Sequence, residues 1–263
     1  MKVIAMCNQK GGVGKTTLTR ELGCYLARSG EKVLLIDADG QANLTKSFFD
    51  AEPAWGLYEA LSTHEVPRLA FIRENLWLLS GSLRLSLLEK QLVGEIDGYL
   101  RLRGLLEADL FSGSPGPKIE LCIIDTPPSL GILTGNALAA ADQILIPISP
   151  AQYALQGTSD LLETMEKMRR TLNPKLAPLG VIVNAYSTLT IISRELVAEL
   201  REVFGDLCFE EELGRSIRFE EAIAEKKGLV DLEGSTWTKS RLEVEALGRA
   251  VLGRVALLPK EAL

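Results

Sequence analysis

Histidine is all but missing. His64 is the single one in 263 residues, which argues against a His-based catalytic dyad or a zinc site built on imidazoles. Cysteine is sparse too. Cys7, Cys24, Cys122 and Cys208 lie far apart, three of them inside apolar stretches. They have neither metal-ligand spacing nor the density of a disulfide scaffold, and read as buried reduced thiols of a reducing compartment. No stretch approaches the roughly 20 uninterrupted apolar residues that span a bilayer. The N-terminal residues pass from a short apolar run straight into a polar Gly-rich loop, as expected of a strand and a loop rather than a secretory signal. Basic residues are in deficit, 29 against 35 acidic ones, for a net charge of −6. Any nucleic-acid binding therefore needs a local patch. Apolar content is not lacking: at 46% hydrophobic and 24% charged, the chain can bury a sizeable core and is not disordered.

Short apolar runs of strand length recur at Lys2–Cys7, Lys32–Ile36, Leu76–Leu79, Ile119–Ile124, Gln143–Ile148 and Leu179–Val183. Most are Val/Ile/Leu-rich without polar alternation, as in parallel strands buried on both faces. Between them lie segments of helical spacing. Thr16–Arg28 stops at Gly30, and Leu161, Leu162, Met165, Met168 and Leu172 form a stripe followed by Pro174, the pattern of a helix packed on a sheet. The alternation predicts an α/β fold with a doubly wound, mostly parallel sheet and helices on both faces. The breaker cluster Ser112–Pro117 reads as a surface loop rather than a boundary. With no repeat and no low-complexity tract, residues 1–263 are expected to form one domain.

The first strand runs into Lys10-Gly11-Gly12-Val13-Gly14-Lys15-Thr16-Thr17 and then a helical pattern. A loop at that junction exposes successive backbone N–H groups, and the helix dipole adds positive charge. Glycines let the backbone wrap a phosphate without Cβ clashes. Lys15 is placed to reach β- and γ-phosphates and the Thr16 hydroxyl to ligate Mg²⁺. The ordinary phosphate loop has glycine six residues before that lysine. Here Gln9 stands there, and a second lysine, Lys10, opens the loop.

This loop resembles the deviant Walker A loop of the ParA/MinD family of ATPases. Leu34–Asn43, with Asp37 and Asp39, is similar to the family's first switch, although Gly40 and Ala42 stand where Pro and Gly are common. Ile123–Gly131, with Asp125, is similar to its Walker B strand and second switch, and Ile146–Gly157 resembles the ParA (Soj-like) branch. The resemblance implies a P-loop ATPase fold, ATP and Mg²⁺, and a nucleotide-sandwich homodimer in which Lys10 reaches the partner's ATP. It also implies that Asp39 orients or activates the attacking water, while Asp37 supports the metal shell or the switch.

The residues support part of this independently. Asp125 ends an apolar strand, where an unpaired carboxylate is costly unless it faces a cation, here Mg²⁺ held through water. Asp37 and Asp39, two apart on an extended segment, are expected to point to one side, toward the phosphate loop; the plainer alternative is a pair of turn formers ending the strand. Asn184 ends the run Val181–Asn184, where an amide could read the adenine edge or simply cap a loop.

The ATP chemistry does not name the cargo. Members of the ParA branch bind DNA without sequence preference as ATP dimers, and a ParB-like partner stimulates hydrolysis and release. The resemblance therefore implies a cytoplasmic, nucleoid-associated protein. Arg215 and Arg218 are the DNA-binding candidates, with Arg169, Arg170, Lys226 and Lys227 able to enlarge the patch. From Leu213 to Arg254 there are eight basic and seven acidic residues, and each arginine alone is as well explained by a solvated helix face. Tyr186 and Ser187 follow Asn184 where some chromosome-partition members carry a DNA-contacting arginine. The membrane alternative is a MinD-like anchor on Arg241–Leu258. That segment carries a Leu247, Val251, Val255 stripe, but glutamates dilute its charge and no Phe or Trp anchors it. A helix closing on the sheet is the better reading. An electron-transfer ATPase like the nitrogenase iron protein needs cluster cysteines, absent between Asp125 and Cys208. A metabolic kinase or synthetase would leave Lys10 without a purpose.

Overall fold

A computed structural model describes residues 1–63, 67–108, 118–150, 154–186 and 191–256. His64, the Ser112–Pro117 cluster, residues 151–153 of the ParA-like run, Ser187 and Leu258 lie outside the described residues. The strands are β1 (Lys2–Met6), β2 (Val33–Asp37), β3 (Ala70–Arg73), β4 (Leu76–Leu79), β5 (Leu121–Asp125), β6 (Gln143–Ile148), β7 (Ala177–Tyr186) and β8 (Cys208–Gly214). The helices are α1 (Lys15–Arg28), α2 (Asn43–Lys46), α3 (Leu57–Thr63), α4 (Leu85–Leu92), α5 (Arg101–Glu107), α6 (Ile132–Ala140), α7 (Ala154–Thr171), α8 (Ile191–Phe204), α9 (Arg218–Ala224) and α10 (Thr238–Ala256).

The strands form one sheet in the order β3-β4-β2-β5-β1-β6-β7-β8. Neighbours are parallel except the β3–β4 hairpin. Because β1, β2, β5 and β6 are buried on both sides, they carry polar residues only at an end: Lys2 and Gln143 open β1 and β6, and Asp37 and Asp125 close β2 and β5. The two faces hold separate cores. Val3, Ala5, Leu34, Ile36, Cys122 and Ile124 pack under α3–α8; Ile4, Met6, Val33, Leu35, Leu121 and Ile123 pack under α1, α2, α9 and α10. All four cysteines are free and buried, and burial pushes the Cys7 thiol up to about 12. The thiols are buried and unpaired, as expected.

All six expected strands form, and two more appear. β3 is a short, half-exposed edge strand, and β8, the other edge, carries Glu210, Glu211 and Glu212. Charge on an edge strand blunts pairing with other chains but also hides the strand from a search for apolar runs. The α7 stripe meets the core through Leu161 and Met165, with Leu162 and Met168 at its margin. On α10, Leu247 and Val251 are fully buried and Val255 packs beside them. The stripe weighed as a membrane anchor is thus already engaged with the sheet. Among the described residues no helix is long and apolar enough to cross a membrane.

The first helix is fixed to the C-terminal segment by a buried ion pair. Arg20 and Glu21 are each 1% exposed and pair with each other. Arg20 also donates to the carbonyls of Ala222 and Lys227, and Glu21 accepts the Leu229 N–H at 2.7 Å. Removing one member leaves the other charged and dry, which typically costs about 3–5 kcal/mol. Glu21→Ala should therefore lower the unfolding free energy by about that much in urea titration, whereas Glu21→Gln, which keeps an acceptor for Leu229, should cost clearly less. Equal losses would mean that the retained acceptor contributes nothing and the charge alone holds the joint.

Candidate functional site

The parallel register brings three strand ends together. Met6 stands beside Asp125, and Asp125 beside Asp37. The chain leaves β1 toward β2 on one side, and later reaches β6 on the other. The carboxyl ends of β1 and β5 therefore border the crevice where open α/β sheets bind ligands.

The loop from β1 to α1 is shaped by its own polar contacts. Asn8, buried, donates to the Pro147 carbonyl at 2.7 Å and accepts the Lys10 N–H at 2.9 Å. Gly12 and Gly14 have φ of +74° and +88°, a left-handed backbone that strains any side chain. Asn184 closes the loop from the β7 side: its Nδ2 donates to the Val13 carbonyl at 2.7 Å, and a Cβ on Gly14 would lie 2.0 Å from that nitrogen. The two lysines differ sharply. Lys15 is buried and donates through Nζ to the carbonyls of Asn8 at 3.0 Å and Lys10 at 3.4 Å. Burial holds its pKa below the ordinary value, with Asp125 pulling it back up. Lys10 is exposed, and among the described residues its ammonium has no partner.

Asp125 is wholly buried. Its Oδ2 accepts the Thr16 hydroxyl at 2.7 Å, while Oδ1 has no hydrogen-bond partner among the described residues. Burial, reinforced by the neighbouring Asp37, raises its pKa well above the carboxylate range. An orphaned carboxylate oxygen beside a hydroxyl at the start of a helix is a donor set that fits a hard divalent cation. Among the described residues no cluster of three or more His, Cys, Asp or Glu side chains could hold a metal, so such an ion needs oxygens from a ligand and water. Thr126, next in sequence, donates to the Met6 carbonyl at 2.8 Å, and Pro128 lies against Gly11, so the segment after β5 abuts the phosphate loop.

The two switch acids do not behave as a pair. The strand ends at Asp37, so the alternation expected to align Asp37 with Asp39 does not extend that far. Asp37 is fully buried and accepts the Thr45 N–H at 2.8 Å and hydroxyl at 2.7 Å, plus the Asp39 N–H at 3.3 Å. Asp39 stands in the following loop, half-exposed, and accepts the Gln41 N–H at 2.9 Å. Thr17 is partly exposed on the first turn of α1. Arg215 and Arg218 lie away from the crevice floor, just past the C-terminal end of β8, whose Leu213 pairs with Asn184. Arg215 is exposed; Arg218 pairs with Glu221 and sits over the Trp237 ring. Asn8, Thr45 and Thr126 were not picked out from sequence. Only Asn8, a short amide at a strand end, carried a turn-forming signal.

Burial raises the Asp37 pKa to about 6. A carboxyl whose folded-state pKa exceeds its unfolded one stabilises the fold below the unfolded value and loses that contribution as pH rises through the folded one. In metal-free protein, acidification from about pH 7 to about pH 5 should therefore bring a stability gain from this residue that Asp37→Asn lacks. Urea unfolding of both proteins across that range checks it; parallel profiles would contradict it.

Comparison with known proteins places the geometry in a family. A family model described as an AAA domain matches residues 1–178. The chain is 38% identical over 219 residues to the chromosome-partitioning ATPase Soj of Thermus thermophilus, covering 83% of each. Among solved structures, cobyrinic acid a,c-diamide synthase from Mycobacterium smegmatis, with bound ADP and magnesium, aligns with TM-score 0.74 and 30% identity over 85% of this chain and 93% of that one. Apo McdA from Cyanothece aligns with TM-score 0.83 and 25% identity over 96% of this chain and 100% of that one. With a model matched over more than half its length and a relative this similar across most of both sequences, the chain belongs to the ParA/Soj family of partition ATPases.

Proposed function

We propose that this chain, acting as one domain, is an ATP-hydrolysing switch. It dimerises on Mg²⁺·ATP, binds duplex DNA without sequence preference, and partitions or positions DNA or another large cargo with a ParB-like activating partner. Its place is the cytoplasm, on the nucleoid. The observation that carries this reading is the contrast between the loop's two lysines. Lys15 is folded under the loop, placed to serve the phosphates of its own subunit, while Lys10 is exposed and its ammonium has no partner among the described residues. A second cation facing outward from a phosphate cradle suits a nucleotide shared across two subunits.

Within that reading, the amides of Gly11, Gly12, Val13, Gly14, Lys15, Thr16 and Thr17 receive the phosphates at the start of α1. Thr16, and Asp125 through water, would hold Mg²⁺, which neutralises phosphate charge when bound. Asp39, in a loop near Lys15 and Asp125, also faces this ion's water shell and positions the attacking water. Asp37, turned into the protein, acts on the switch backbone rather than on the nucleotide. The amide nitrogen of Asn184 is engaged with Val13, so what it offers an adenine is Oδ1, an acceptor suited to the base's exocyclic amine. Of the DNA candidates, Arg215 is the stronger, because Arg218 already has Glu221 beside it.

Lys15→Ala should abolish tight nucleotide binding. Asp39→Ala should bind Mg²⁺·ATP and persist as a dimer in sedimentation, because the cradle is intact and only the water is lost. Unstimulated turnover should lie well under about 10 s⁻¹, an ordinary enzyme rate; a faster rate would favour a metabolic enzyme. On the trapped dimer, fluorescence anisotropy should show DNA affinity that falls with salt at a log–log slope of about −0.9 per phosphate neutralised. Arg215→Ala should weaken every sequence alike and more than Arg218→Ala. Absence of DNA binding by the trapped dimer at low salt, with pelleting on anionic liposomes instead, would contradict the DNA reading.

A further inference from the structure

The switch loop is held in place by a side chain that lies outside it. Thr45, in α2, is 1% exposed and uses its hydroxyl twice. It donates to Asp37 Oδ2 at 2.7 Å and accepts the Gly81 N–H at 2.9 Å. Its backbone N–H donates to the same Asp37 oxygen at 2.8 Å. The other Asp37 oxygen accepts the Asp39 N–H at 3.3 Å. One carboxylate thus links the residue that carries the loop's free acid to the helix that ends the loop, and the Thr45 hydroxyl ties both to the chain leaving β4. The closeness of that chain is independent support. A Cβ on Gly81 would sit 2.7 Å from the Asp37 carboxyl carbon and backbone oxygen, so nothing but glycine lets the N–H approach. The loop between also has Ala42 at φ +52°, a conformation that an unpinned alanine would leave.

We propose that Thr45 is a positioning residue for ATP hydrolysis: its hydroxyl, shared between Asp37 and the Gly81 amide, fixes the loop that places Asp39. This rests on the assignment of Asp39 to the attacking water. Thr45 is buried, with its hydroxyl and N–H spent on Asp37 and Gly81, so its effect falls on geometry. A displacement of about 1 Å at a reacting group can cost about 10²-fold in rate.

The test compares Thr45→Val, which keeps the shape and backbone N–H but deletes the hydroxyl, with Thr45→Ser, which restores it. Steady-state ATP hydrolysis is measured beside fluorescent-ADP affinity in Mg²⁺, with Asp39→Ala and wild type as references. Thr45→Val should lose about 10- to 100-fold in kcat with nucleotide affinity within about threefold of wild type, and Thr45→Ser should recover most of the rate. In the wild type, hydrogen exchange should show the Thr45 and Gly81 amides protected, a readout independent of how the variants fold. Wild-type turnover in Thr45→Val, equal losses of affinity and rate, failure of serine to rescue, or fast exchange at both amides would each overturn the proposal. If Asp39→Ala itself turns over like wild type, the water assignment fails and this inference falls with it. If Asp39→Ala is inactive and Thr45→Val is not, only the positioning role is wrong.

Discussion

A carboxylate sealed from water at the end of a central strand governs how this molecule is put together at its working edge. Asp125 has one oxygen on the Thr16 hydroxyl and the other without a partner among the described residues, with the buried acid Asp37 one strand away. Two acids so placed repel each other and resist ionisation. The apo fold tolerates them because Thr16, Thr45 and the nearby Lys15 offset part of the cost. The arrangement is incompletely compensated without a cation, and that incompleteness is what makes it a site.

The remaining features follow from having to hold that carboxylate against a phosphate loop. Parallel register sets the strand ends level; Asn8 and Asn184 lock the loop to β6 and β7, and Thr126 ties the segment after β5 to β1. Lys15 is drawn inward by carbonyls, which leaves Lys10 as the loop's outward cation. Asp37 turns away to hold the switch, and Asp39 is left at the open edge. The division of labour between two lysines and between two aspartates is therefore produced by burial, not by the residue types themselves. On the far side of α1, the Arg20–Glu21 pair fixes the same helix to the segment after α9. The helix that begins at the nucleotide cradle is thus also bonded to Ala222, Lys227 and Leu229.

Much of this was legible in the sequence, for identifiable reasons. Strands buried on both faces leave continuous apolar runs, so β1, β2, β5 and β6 announce themselves. A loop that needs left-handed backbone needs glycine, so the cradle does too. The edge strand β8 was illegible because an edge is protected by charge, here three glutamates. The different burial of Asp37 and Asp39 depends on where β2 stops, and no local pattern marks that residue. Arg218 looked free because its partner Glu221 is one turn away on a helix whose start the sequence did not reveal. Thr45 was missed because its partners, Asp37 and Gly81, are brought together only by the β4–β2 pairing.

The central claim is that Asp125, through water and beside Thr16, would hold Mg²⁺ in the nucleotide site. Calorimetric titration of ADP with and without Mg²⁺, for wild type and Asp125→Asn, addresses it most directly. The account predicts that Mg²⁺ tightens ADP binding by wild type and that Asp125→Asn binds ADP with little or no such gain while retaining its metal-free affinity. An undiminished Mg²⁺ dependence in Asp125→Asn would contradict it.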